Sequence, residues 1–276
     1  MKILAVSGGI DSVVMLHFLQ SRISKDELVV AHFDHGIRNN SCEDADFVKR
    51  LAEQYGVAFE CEHRKLGANC SEAKAREERY GFLRKIADKY HGAICVAHHD
   101  DDVIESMAIN VLRGTGWRGI APMNNKDIER PLKGWRKRDI YRYAGEHQLH
   151  FRQDQTNNDD DYLRNRVRMR LRDATDPQAT KLIEIYNRQS ELLGEISAIL
   201  NEMDDAKRYS RSLLNCNDGV AIEILRHILA KKQVSLTRPQ LSNALKAIRE
   251  YSPNKRFSIG INRFILVGRY SFEIML

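Results

Sequence analysis

The stretch KILAVSGGIDSVVMLHFL, residues 2–19, constrains this chain more than any other. An apolar run suited to a strand reaches Ser7-Gly8-Gly9, passes Ile10-Asp11-Ser12, and turns at once into an apolar helical pattern. A turn alone needs one glycine; two glycines with two serines and a carboxylate imply that something anionic comes close to the backbone. Glycine removes the side chains that hold a phosphate away, and the N-terminus of the following helix adds positive partial charge. The spacing differs from the Walker loop, which carries its own lysine, and the third glycine of the dinucleotide fingerprint is missing. Asp11 suits an anion site only if a divalent metal lies between its carboxylate and the phosphates. The plainer alternative is a glycine turn whose Asp11 or Ser12 caps the helix.

Strand-like runs alternate with amphipathic stretches through the first half. Strands are expected at about 2–6, 27–33, 58–63 and 92–97, with helices at 11–21, 42–55, 71–90 and 101–112. This order argues for an α/β fold, a parallel sheet with helices on both faces. Ligands in such folds sit at the carboxyl ends of the strands, and the three most unusual clusters fall there: SGGIDS, HFDHGIR and AHHDDDVIES. Three segments are expected: a nucleotide-type domain over 1–175, a helical linker over 176–214, and a small α+β domain over 215–276 whose end alternates in strand fashion around Gly260 and Gly268.

Composition narrows the function classes. With 44 Lys and Arg against 38 Asp and Glu, the 276-residue chain carries a net charge of +6, a mild excess compatible with a nucleic-acid or phosphate partner. Five scattered cysteines without a CxxC pair speak against a zinc knuckle, a cluster site or a disulfide framework. No leader-like start and no run of about 18 apolar residues occurs, so no membrane association and a cytoplasmic location are expected.

In AHHDDDVIES, Asp102 and Glu105 stand three apart and share a helix face at the mouth of the preceding strand. Acids at a helix N-terminus suit its dipole, yet three aspartates, a glutamate and two histidines exceed what capping needs and suggest chemistry. Zinc is the competing idea, but no further histidine or thiolate lies at ligand spacing. Asp34, His35 and Arg38 close the second strand, where Asp34 either binds a metal or an ammonium group or belongs to a solvated loop. RNRVRMRLR places arginine at every second position from 164 to 172. As a strand it has one cationic face; as a helix, Arg164, Arg168 and Arg172 form a stripe, and either suits phosphate oxygens.

SGGxDS resembles the signature of the PP-loop ATP pyrophosphatases, which split ATP into AMP and pyrophosphate while adenylating an acceptor oxygen. Within that superfamily the chain is similar to the tRNA(Ile)-lysidine synthetases. The matching stretches are HFDHGIR, EAKAREERY, AHHDDDVIES, RGTGWRGIAPM, RPL and DQTNNDDDYLRNRVR, dense to about residue 172. Departures are small: Ser106 replaces a usual threonine, and Ile120 and Pro122 replace leucine and glycine. The resemblance implies a short form of the family, with the further carboxy-terminal domain of longer members expected to be absent. It implies ligation of L-lysine to the wobble cytidine of an isoleucine tRNA with a CAU anticodon, using ATP and Mg2+. Ser7, Gly8, Gly9, Ile10, Asp11 and Ser12 are then expected to bind ATP, with Asp11 reaching the metal. The family pattern HxDDxxE maps onto His99, Asp101, Asp102 and Glu105, which with Asp34 form the expected catalytic set. Arg76, Arg79, Arg113, Arg164 and Arg168 are expected to meet tRNA or nucleotide. Three rivals share parts of this pattern. A PP-loop tRNA thiolase needs catalytic or cluster cysteines, often as CxxC; an amide synthetase lacks the arginine run and HFDHGIR; a non-catalytic RNA-binding module has no use for bare carboxylates, which repel RNA.

Overall fold

The computed structural model describes residues 1–36, 41–65, 67, 70–123, 127–152, 163–171, 175–202 and 206–276. Arg38, Arg172 and most of the polar stretch before the arginine run lie outside the described residues, as does the side chain of Arg164.

Two units divide the chain, Met1–Gln189 and Ser190–Leu276. In the first, β1 (Lys2–Ala5), β2 (Leu28–Asp34), β3 (Ala58–His63), β4 (Ala93–Cys95) and β5 (Ile128–Glu129) form a parallel sheet in the order β3-β2-β1-β4-β5. Strand alternation sends Leu4, Leu28 and Val30 to one face and Ile3, Val29, Ala31 and Phe33 to the other. Both sets are buried, which is why these strands read as nearly unbroken apolar runs. The first face packs on α1 (Ile10–Gln20), α2 (Ser41–Tyr55) and α5 (Lys137–Glu146); the second packs on α3 (Glu72–Tyr90). The remaining helices here are α4 (Asp100–Leu112), α6 (Leu163–Leu171) and the start of α7 (Asp176–Asn201). The arginine run therefore forms a helix, resolving the choice that its alternating pattern left open.

The strand order carries a functional consequence. The chain winds from β1 outward to β2 and β3, then returns across β1 to β4, so the switch point lies between β1 and β4. SGGIDS follows β1 and HHDDD follows β4, and the two most unusual motifs meet at that crevice.

The second unit is antiparallel. Strands β6 (Arg208–Ser210), β7 (Lys255–Gly260), β8 (Arg263–Val267) and β9 (Ser271–Met275) lie in the order β6-β9-β8-β7. Leu225, Leu229, Leu241 and Leu245 of α8 (Asp218–Lys231) and α9 (Arg238–Glu250) share a core with Ile265, Val267 and Phe272 of the sheet. Arg211 and Arg249 stitch its corners by donating to the carbonyls of Gly268, Leu214 and Cys216.

Candidate active site

The turn after β1 is shaped by its glycines and serines. Gly8 adopts a φ of +89°, and a Cβ there would meet Phe47 and Val48 at 3.3 and 3.4 Å, so no larger residue fits without strain. Its carbonyl is held by the Arg152 N–H at 2.9 Å. Ser12 is buried and engaged within the turn: it accepts from the Ser7 N–H at 3.1 Å and donates to the Gly9 carbonyl at 2.9 Å. Ser12 therefore shapes the loop, whereas Ser7 is exposed. Ile10 begins α1, whose first N–H groups have no acceptor within the helix.

Each acid of HHDDDVIE has a different task. Asp100 is buried and accepts from the Gly134 N–H at 3.0 Å, a packing role. Asp101 is clamped by Arg136 (2.8 and 2.7 Å) and by the Lys137 N–H at 2.6 Å. Burial opposes its charge, but these donors outweigh burial and hold its carboxyl below the ordinary aspartate value. Asp102 accepts from the His99 N–H at 3.0 Å, so it does cap α4. Glu105, buried one turn on, receives a fork from Arg168 of α6 at 2.7 and 3.0 Å.

His99 links the two motifs. It is buried, with ring nitrogens 3.7 Å from Asp11, 3.7 Å from Asp101 and 3.5 Å from Asp102. Asp11 in turn pairs with the Lys137 ammonium at 2.5 Å. Beside this lies a basic rim. Burial pushes His98 down to about 4; Asp102 opposes the shift, while Arg76, Arg130 and Arg79 reinforce it. Burial and Arg79 likewise lower His35. The buried Nδ1 atoms of His35, His98 and His99 make no hydrogen bond among the described residues, leaving ring nitrogens unsatisfied around the crevice.

Asp34 lies apart from this cluster. It is buried at the end of β2, with one oxygen on the Gly36 N–H at 2.9 Å and the other 2.7 Å from His63 Nδ1. Two strand spacings, about 10 Å, separate β2 from β4. Arg113 is exposed at the C-cap of α4, the opposite end from the acids and about 20 Å away along that helix. Arg136, Lys137 and His63 pair with these acids and were not singled out from the sequence.

Carboxylate oxygens beside a phosphate cradle suit Mg2+, which binds through one or two acids together with substrate phosphates. No cage of three or more His, Cys, Asp or Glu occurs among the described residues. Cys61, Cys70, Cys95 and Cys216 are free, and burial together with Glu129 pushes Cys95 up to about 12.

A parallel sheet with a glycine-serine turn at a helix start after β1 and an acidic helix start after β4 has the arrangement of a nucleotide-handling α/β domain. The chain belongs to the PP-loop domain family, whose model matches residues 2–175, and membership implies use of ATP. The curated relatives narrow this further. The chain is 36% identical to the tRNA(Ile)-lysidine synthase of Thermotoga sp. (strain RQ2), over 61% of this chain and 44% of that protein. It is 32% identical to the Lactobacillus johnsonii tRNA(Ile)-lysidine synthase (79% and 54% covered) and 31% identical to that of Bacillus cereus (95% and 58%). The chain thus spans about half the length of these relatives. The U34-tRNA thiolase NcsA of Methanococcus maripaludis, solved with its [4Fe-4S] cluster, shares the fold at a TM-score of 0.55 and 20% identity, covering 69% of this chain and 71% of that one. No helix among the described residues is long and apolar enough to cross a membrane.

Proposed function

We propose that this protein ligates L-lysine to the wobble cytidine of an isoleucine tRNA with a CAU anticodon. The observation that carries the reading is the meeting of SGGIDS with HHDDDVIE at the β1/β4 switch point of a PP-loop domain. The similarity to tRNA(Ile)-lysidine synthases supports the choice of substrates.

In the first step the cytidine carbonyl oxygen attacks the α-phosphate of ATP and pyrophosphate leaves. In the second the lysine side-chain amine attacks the same ring carbon, and AMP departs with the oxygen. Gly8, Gly9 and the start of α1 cradle phosphate oxygens, and Ser7 offers its exposed hydroxyl. Asp11 would hold Mg2+, which shields phosphate charge when bound. Asp102 is the acid best placed to take the ammonium proton, because no Lys or Arg pairs with it among the described residues. Arg76 and Arg79 supply cationic surface beside His98 for nucleotide or RNA.

The test is incorporation of radiolabelled lysine into acid-precipitable tRNA with stoichiometric AMP release. Label from sulfide instead of lysine would favour a thiolase, and tRNA binding without AMP release would favour a non-catalytic module.

A further inference from the structure

The two glycines of SGGIDS that leave room for a phosphate also leave the peptide between them free to turn over, because glycine tolerates dihedral angles that other residues avoid. A turned peptide would put the Gly8 carbonyl, a partial negative charge, where the Gly9 N–H stands. In a trans peptide the carbonyl and the following N–H point in opposite directions, so whatever holds the Gly8 carbonyl also aims the Gly9 N–H. The Gly8 carbonyl accepts from the Arg152 N–H at 2.9 Å, and on the other side the Gly9 N–H faces the Ser7 hydroxyl at 3.4 Å.

Arg152 is itself staked. Its guanidinium donates to Glu43 at 2.6 Å and to Asp44 at 3.0 Å in the first turn of α2, across 109 and 108 positions. Leu149 and Phe151, just before it, pack against the core that α1 and α2 share. A Cβ on Gly8 would lie 3.7 Å from Arg152 Cγ, so the arginine stem covers the turn. With two carboxylates on it, the guanidinium is already matched in charge and serves as a tether, not as a grip for an anion.

Resting on the ATP-dependent reading above, we infer that Arg152 is a positioning residue: staked on α2, it fixes the Gly8–Gly9 peptide so that the Gly9 N–H, and not the Gly8 carbonyl, faces the incoming phosphate. The Arg152, Glu43 and Asp44 side chains are 42%, 60% and 28% exposed, and ion pairs this open are weak. Their effect therefore falls on which way one peptide points, a choice that two glycines leave nearly balanced, and not on whether the domain folds.

The test is nuclear magnetic resonance on the full chain, isotopically labelled at glycine nitrogen, with the Gly9 amide assigned by its loss in Gly9→Ala. Wild type is compared with Arg152→Ala, with Glu43→Gln/Asp44→Asn, and with all three changes combined. Without nucleotide, wild type is expected to show one sharp Gly9 signal. Both variants are expected to show it broadened by microsecond-to-millisecond exchange, with Gly219, Gly260 and Gly268 of the second unit unmoved. Calorimetric affinity for α,β-methylene-ATP in the presence of Mg2+ is expected to fall about 3- to 10-fold in either variant, the scale of one ordinary hydrogen bond. It is expected to fall no further in the combination, because the three side chains act as one staple. An unchanged Gly9 signal with unchanged affinity overturns the inference. Additive losses would make Arg152 a direct contact to the ligand, and shifts spread over the second unit's glycines would make it a general stabiliser; either also overturns it. The Gly9 signature without any analogue binding in wild type would support the tether and sink the ATP-dependent reading alone.

Discussion

Removing Arg168 tests how the acidic crevice is held together. Its guanidinium meets Glu105 through two hydrogen bonds of 2.7 and 3.0 Å, with the Glu105 side chain only 6% exposed and Arg168 36% exposed. Breaking a fully buried pair by deleting one partner costs about 3–5 kcal/mol. Because Arg168 is one-third open, water partly resolvates Glu105, and the expected loss for Arg168→Ala falls to about 2–3 kcal/mol. For a unit of this size each kcal/mol moves the midpoint by about 2–4 °C, so melting is expected about 5–10 °C lower. Adding Glu105→Gln removes the charge that faced Arg168, and a coupling of about 1–2 kcal/mol is expected between the two positions in a double-mutant cycle. Thermal melts followed by circular dichroism on wild type, both single variants and the double variant measure the coupling. An Arg168→Ala midpoint within about 1 °C of wild type, or strictly additive singles, would refute the argument.

Three further outcomes are expected. Asp11→Ala and Ser7→Ala are each expected to abolish tRNA-dependent AMP release while tRNA affinity by fluorescence anisotropy stays near wild type, because the proposed roles of these residues are toward phosphate and metal. Arg166 and Arg170 are exposed on α6, where Arg168 is engaged with Glu105; replacing either with alanine is expected to lower the slope of log tRNA affinity against log salt by about 0.7–0.9, and an unchanged slope would mean they do not touch phosphate. His98 is held down from 6.5 to about 4 in the folded chain, so between those values the unfolded chain binds more protons. Its contribution is complete above pH 6.5 and is lost as pH falls towards 4, by up to about 3 kcal/mol at about 1.4 kcal/mol per unit; melts at pH 7.5, 6 and 5 should show that slope flattened in His98→Asn.

Periodicity made the first sheet legible, because strands buried on both faces and helices with apolar stripes leave strong local patterns. Both motifs were visible for the same reason: each is a contiguous stretch at a strand end. The tasks within them were not. Three consecutive aspartates read as an excess over capping, whereas Asp100 turns inward to Gly134 and Asp101 is clamped by Arg136. Asp34 could be picked out, but not its partner His63, since that pairing depends on the β2–β3 register, which sets these two residues side by side. Lys137 and Arg168 reach their acids across 126 and 63 positions. No local pattern encodes such distances; only the crossover order does.

Those long-range cations explain how an acidic crevice can admit a polyanion. Asp11, Asp101 and Glu105 are matched by Lys137, Arg136 and Arg168 respectively, so three carboxylates enter the site already neutralised. The pairs are not equivalent. Asp101 is held by a guanidinium and a backbone N–H together, and Glu105 is buried under its partner, so both are built to stay closed. Asp11–Lys137 is one contact between side chains 34% and 37% exposed, with the buried His99 ring 3.7 Å from the same Asp11 oxygen, and in such surroundings the pair's net strength is about 1 kcal/mol or less. In the proposed reaction that pair is the first to open, while the other two keep Asp101 and Glu105 from repelling the nucleotide. Asp102, with which no Lys or Arg pairs among the described residues, is the acid left in that proposed reaction to receive the lysine ammonium group.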